Sequence, residues 1–235
     1  SMFGTDCKPL HAGMAARSGL MAALLAMRGF TTRTDALECP QGFAATHGPN
    51  FEPAKALAAP PREWHVLANL FKYHASCYET HATIECALAL RDAHGIKAAN
   101  VKAVEAAVNP YCDRICNIAT PVSGLEAKFS LRMTAAMALC GVPTADPASF
   151  TDELVREPAI TALRDRVKVA FDPAIGQGQA RMRITLADGR AVEHFHDASV
   201  PMADLDAQRA RLEEKCRKLA APVLGEGSTA ALIEA

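Results

Sequence analysis

A run of proline and glycine splits this chain into two parts of different texture, and that split limits its folds more than any other feature. Pro40, Gly42, Gly48, Pro49, Pro53, Pro60 and Pro61 punctuate residues 31–63. Proline lacks an amide hydrogen and fixes φ, and glycine favours turns, so this spacing leaves room only for short helices joined by turns. Before it, His11 to Met27 is rich in alanine and leucine, a helix pattern that Gly29 can end. After it, strand signals appear. Val101 to Val108 partly alternates and stops at Asn109-Pro110, and Val167 to Phe171 is a short strand candidate. Met182 to Leu186 and Ala191 to Phe195 flank Asp188-Gly189, the strongest hairpin signal in the chain.

Helical signals lie between the strands. Thr80 is expected to cap a helix that runs to His94 and stops at Gly95, and Gly124 to Cys140 reads as one helix ended by Gly141. Thr151 opens further helical sequence, and Pro158 suits the first turn of the next helix. Ala203 to Ala221 is a charged amphipathic helix. Trp64 to Tyr73 reads as a strand. Helices first, then interleaved strands and helices, then a terminal helix predict a helical portion joined to an α+β domain.

Composition narrows the partners. The net charge of −1 and the absence of long basic runs argue against nucleic acid. The apolar stretch Leu20 to Met27 is flanked by Arg17 and Arg28 and falls short of the roughly 18 residues that span a bilayer, so it reads as a buried helix rather than a membrane segment. Eight cysteines are scattered with no C-x-x-C pair, which suits a reduced cytoplasmic protein and neither a disulfide framework nor an iron–sulfur cluster. Cys112 and Cys116 have helical spacing and read as packing residues. His194 and His196 alternate with Phe195 and read as surface residues on one strand face.

Three blocks carry a family resemblance. Gly4-Thr5-Asp6-Cys7-Lys8-Pro9-Leu10-His11, then Phe71-Lys72-Tyr73-His74-Ala75-Ser76-Cys77-Tyr78-Glu79-Thr80-His81, then Lys128-Phe129-Ser130-Leu131, resemble the MmgE/PrpD family in order and spacing. That family includes 2-methylcitrate dehydratase, cis-aconitate decarboxylase and iminodisuccinate epimerase. The resemblance covers the whole chain but only about the C-terminal half of a usual member. Ser1-Met2 reads as the scar of a removed tag. The resemblance implies residues 3–65 as the end of an all-helical domain, residues 66–200 as a smaller α+β domain, and residues 201–235 as a helix returning to the helical part. It also implies a homodimer, an active site in the inter-domain cleft, and no metal or other cofactor. Two positions depart from the decarboxylase pattern: Cys77 stands where that branch resembles histidine, and Met133 where it resembles tyrosine.

Substrates of such a family carry two or three carboxylates, so the site needs fixed positive charge and a base near working pH. Lys8, just before a helix N-terminus that attracts anions, is either a carboxylate clamp or an exposed loop lysine. His11 either contacts substrate or holds the loop, while Gly4 and Gly13 shape the backbone. By the resemblance, Lys72 is a second cation facing substrate, and His81, otherwise a capping residue, or a histidine of the half of the family pattern outside this chain moves the proton, which makes Lys8, Lys72 and His81 the catalytic candidates. His11, Cys77, Lys128 and Ser130 are the substrate-binding candidates, with an exposed lysine and a helix-start serine as equally simple readings of the last two. Cys77 and His81 have zinc-compatible atoms at four-residue spacing, but no convincing third ligand, so no metal is expected. The implied activity is a cofactor-independent lyase for a small di- or tricarboxylate such as 2-methylcitrate or cis-aconitate. The alternatives are an inactive C-terminal remnant serving as an oligomerisation or interaction module, and an epimerase of an amino or imino dicarboxylate.

Overall fold

The proline- and glycine-rich run lies within one of two units of the structure, and the division comes a few residues after it. A computed structural model describes residues 2–48, 50, 52, 54, 55, 58 and 64–235. It separates into residues 6–69 on one side and residues 1–5 with 70–235 on the other.

In the first unit α1 spans Cys7–Met27. It starts four residues earlier than the alanine-rich pattern predicts, because Pro9 falls in the first turn, where its missing N–H is not needed. Lys8 therefore lies inside the helix and not in the loop before it. At the other end the amides of Gly29 and Phe30 bond back to Ala26 and Leu25, as expected of a glycine stop. The predicted burial of Leu20 to Met27 is not seen: no residue of α1 is buried. Within its own unit the next described helix, α2, spans only Phe43–His47, and among the described residues of that unit no other helix is long enough to cover α1. With 21 residues and a mean hydropathy of 1.2, α1 meets the length and composition of a membrane span, a test that soluble core helices also pass. Of the short helices and turns predicted over residues 31–63, α2 is seen; residues 49, 51, 53, 56, 57 and 59–63 lie outside the described residues.

The second unit is the α+β fold that the element order implies. Four strands, β1 (Val101–Val108), β2 (Val167–Phe171), β3 (Gln179–Leu186) and β4 (Ala191–Asp197), form one sheet in the order β2-β1-β3-β4. β1 runs parallel to β2, and the other pairings are antiparallel. The β3–β4 turn is built as predicted, with Gly189 at φ 88°, a conformation that costs other residues strain. One sheet face is buried through Val104, Ala106, Val108, Ala180, Met182 and Ile184. Two helices cover it: α3 (His81–His94) packs on β3 and β4, and α6 (Leu131–Leu139) packs on α3 and reaches β2. His194 and His196 pair with Met182 and Ala180 on this covered face and are half-buried. The surface placement expected for them is thereby corrected.

Other differences have local causes. Trp64 to Tyr73 forms no strand but a 3-10 turn, His65–Ala68, followed by irregular chain, since no sheet edge pairs with it. The single helix expected over Gly124 to Cys140 is two, α5 (Gly124–Ala127) and α6, with α4 (Cys112–Cys116) before them. Ser130 causes the break: its Oγ accepts the amide of Met133 and caps a new helix. Thr80 does not cap α3; its hydroxyl donates to the Cys77 carbonyl. After α7 (Asp152–Val155) and α8 (Pro158–Arg164), the chain ends in α9 (Leu205–Leu224) and α10 (Glu226–Glu234). The polar contacts of α9 described below go to the α+β unit, of which it is part.

Candidate functional site

Residues 70–80 enter α3 as irregular chain, so their backbone groups must find partners outside a helix or sheet. They do. The amide of Ala75 donates to the Thr144 carbonyl at 2.9 Å, and that of Cys77 to the Lys128 carbonyl at 2.8 Å. The Tyr78 hydroxyl donates to the Ala198 carbonyl, and the Lys215 ammonium donates to the Lys72 carbonyl. The Arg211 guanidinium sits 3.9 Å above the Tyr73 ring. A segment held at so many points presents its side chains in fixed positions.

Behind it lies a buried polar chain. His74 is 3% exposed; its Nε2 is 3.1 Å from Glu85 Oε1 and its Nδ1 is 2.9 Å from the Thr144 hydroxyl. An ionised carboxylate only accepts, so the proton of this contact is on His74 Nε2. The Arg211 guanidinium donates to the same Glu85 oxygen at 2.6 Å. Burial alone would raise the Glu85 pKa, but the hydrogen bonds from His74 and Arg211 outweigh it and hold the carboxyl at about 2.

His81 opens α3 and points inward. It is 2% exposed, with its ring 4.9 Å from that of His74 and 5.0 Å from that of Tyr78. Burial first, then the neighbouring His74 and Lys72, push its pKa down to about 3. It is therefore a neutral imidazole at working pH, and its Nε2 has no hydrogen-bond partner among the described residues. A side chain so desolvated does not suit the neutral-pH base role expected from sequence.

Cys77 lies on the other side of the turn and is half-buried. A hydrogen bond from the Cys116 thiol, the Glu79 amide and the charge of Lys72 outweigh burial and bring its thiol to about 7. Cys116 is fully buried and is pushed the other way by Cys112, Cys77 and desolvation. Cys112 Sγ lies 3.8 Å from Glu79 Oε2. Cys112 and Cys116 are packing residues, as their helical spacing predicts: both are buried in the core. Their four-residue spacing signalled a shared helix face but not what lies opposite.

The structure thus brings together Lys72, Cys77, His81 and the backbone of Lys128. Lys72 is exposed, while the Lys128 ammonium lies 5.5 Å over the Phe150 ring. Ser130 is fully buried with its hydroxyl on the α6 cap, which is the helix-start reading of this serine and not the substrate contact. Lys8 and His11 are exposed on α1 in the other unit. The Gly4–Gly13 stretch is therefore divided: Phe3 stands 5.5 Å from Phe129 in the α+β unit, while Lys8 and His11 belong to α1. Among the described residues no group of three or more His, Cys, Asp or Glu is placed to hold a metal ion.

Comparison with known proteins gives a consistent division. The MmgE/PrpD N-terminal domain matches residues 2–56 and the MmgE/PrpD C-terminal domain residues 74–235. Cis-aconitate decarboxylase of Homo sapiens is 27% identical over 248 residues, taking in 98% of this chain and 49% of that protein. The Mus musculus cis-aconitate decarboxylase is 27% identical over 202 residues, 79% of this chain and 40% of that protein. The chain spans about half the length of the curated relatives it matches.

Proposed function

The chain belongs to the MmgE/PrpD family, and on that premise we propose that it contributes part of the active site of a lyase for a small di- or tricarboxylate such as 2-methylcitrate or cis-aconitate. The observation that carries this reading is the fixed 70–80 segment, which sets an exposed cation, Lys72, beside a thiol near neutrality, Cys77. In a lyase of this kind a proton leaves the carbon next to a carboxylate, and hydroxide or carbon dioxide is expelled. Lys72 holds the carboxylate and stabilises the charge that develops beside it. Cys77 has the acid–base range for the proton, and it occupies the position where the decarboxylase branch resembles histidine. Lys8, on α1 of the other unit, is a candidate by the family resemblance alone. The buried His81 holds the turn. Homodimeric assembly, a cytoplasmic location and turnover without a metal or other cofactor belong to the same proposal and rest on the family resemblance.

The test is turnover of 2-methylcitrate and cis-aconitate by the protein at full natural length, with Lys72→Met beside it. One substrate should turn over. Losing a charge-assisted hydrogen bond worth roughly 1.5–3 kcal/mol should lower kcat/KM about 10- to 150-fold in the variant. Folded protein that turns over neither acid would remove both substrates and favour the epimerase of an amino or imino dicarboxylate. A second reading, an interaction module without turnover, is favoured by the unburied apolar length of α1. Measurable turnover by the present chain sinks it.

A further inference from the structure

One face of the sheet is covered by α3 and α6, and the strand register fixes what the other face carries. Across the order β2-β1-β3-β4, Lys168 pairs with Glu105, Glu105 with Arg183, and Arg183 with Glu193. All four are exposed, so this face bears a row of charges that alternates in sign from edge to edge. The next row, two residues along each strand, reads Ala170, Ala107, Arg181 and Phe195, and Phe195 is 46% exposed. Among the described residues the only ion pair this face makes within the chain is Arg181 with Glu193, at 3.8 Å.

We propose that this face binds a second copy of the chain, sheet against sheet, about a two-fold axis parallel to the strands. Such an axis reverses the strand order and keeps the row, so the contact is made by the same patch on both copies. Lys168 then faces the partner's Glu193, and Glu105 faces the partner's Arg183. The symmetry repeats both contacts, and every charge of the row meets its opposite. In the next row Phe195 faces the partner's Ala170, a large ring over a small side chain, and Arg181 faces the partner's Ala107. An axis across the strands would instead set Lys168 on Lys168 and Glu105 on Glu105, which like-charge repulsion rejects. Sheets stacked in this way lie about 10 Å apart, with strands within about 30° of each other. With strands about 4.8 Å apart and a rise of about 3.4 Å per residue over Ala103 to Ala107, the face measures roughly 19 by 17 Å. That is less than half of the roughly 800 Å² a side of a standard interface, so the contact is weak and exchanging.

The homodimer proposed above rests on the family; this contact rests on the sheet, and its test needs no turnover. Within one chain Lys168 and Glu193 stand on opposite edge strands, about 14 Å apart, further than a direct amide between their side chains can span. The chain, half of it labelled with nitrogen-15, is treated at high concentration and low salt with a carbodiimide, which joins amine to carboxylate without a spacer. Linked peptides are then mapped by mass spectrometry. The expected result is a Lys168–Glu193 link that joins labelled to unlabelled peptide and weakens in about 0.5 M salt. Glu105→Lys and Arg183→Glu should each lower that link more than about tenfold, and mixing the two variants should restore it, because the two substitutions then face each other across the axis. Absence of this link while others form, or a link that never joins the two labels, overturns the proposal. So does a link that neither variant weakens, and so do links between copies that run through α1 in place of this pair. The wild-type link decides the matter even where a variant folds poorly.

Discussion

Replacing Glu85 with glutamine tests whether the polar chain behind the site stabilises the fold through charge. Glu85 is 19% exposed and is contacted by His74 at 3.1 Å and Arg211 at 2.6 Å. Its carboxyl sits at about 2, against 4.5 for the free group. A gap of about 2.5 units at 1.36 kcal/mol each amounts to roughly 3 kcal/mol of folding stability. The sign follows from the direction of the shift. A depressed carboxylate contributes in full above pH 4.5 and loses its contribution as pH falls toward about 2, where the unfolded chain binds the proton more readily. Glutamine keeps the shape, and its amide oxygen can still accept from His74 and Arg211, but it carries no charge for them to pair with. Urea unfolding followed by far-UV circular dichroism, at pH 7 and at pH 3, measures both proteins. The wild type should exceed Glu85→Gln by about 3 kcal/mol at pH 7, and about 2 kcal/mol of that difference should vanish by pH 3. A difference below about 0.5 kcal/mol at pH 7 would refute the reasoning, as would one unchanged at pH 3.

Two further substitutions test the parts that hold the site. Ser130→Ala removes the α6 cap and should cost about 1 kcal/mol in a denaturant melt, with no change in carboxylate binding by calorimetry. Weakened binding at unchanged stability would return Ser130 to the substrate contacts. Gly124→Ala would place a Cβ 2.1 Å from the Phe150 carbonyl oxygen, on backbone that cannot easily yield. A loss of about 1–3 kcal/mol or more is expected, and an unchanged melting temperature would contradict the packing at α5.

The elements legible in the sequence are those whose causes are local. Asp188-Gly189 specifies its turn within four residues, and the flanking strands follow from it. Val101 to Val108 announced itself by alternation and a proline stop. Trp64 to Tyr73 misled because an apolar run is a strand only if another strand offers a ladder, which its own sequence cannot show. Ser130 misled for the opposite reason: a serine inside a helical pattern is usually tolerated, and here its hydroxyl stops one helix and starts the next. The length and composition of α1 signalled a buried helix, yet burial depends on what surrounds it.

The site shows the same division at the level of chemistry. Lys72, Cys77 and His81 were legible as a group, but their roles were not, because a role depends on desolvation and partners set by distant chain. Cys77 and His81 stand four residues apart at one turn, and the fold puts one against solvent and the other inside it. The thiol is drawn to about 7 by a cysteine 39 residues further along, and the imidazole is driven to about 3 by burial beside His74. The same dependence reaches the C-terminal helix. Arg211 and Lys215 on α9 grip Glu85, the Tyr73 ring and the Lys72 carbonyl, spanning 126 residues for the first contact and 143 for the last. A substitution on α9 therefore acts on the Lys72 segment without touching any ligand. The charged amphipathic pattern of residues 203–221 predicts a packing helix, and its charges also hold the backbone of Lys72.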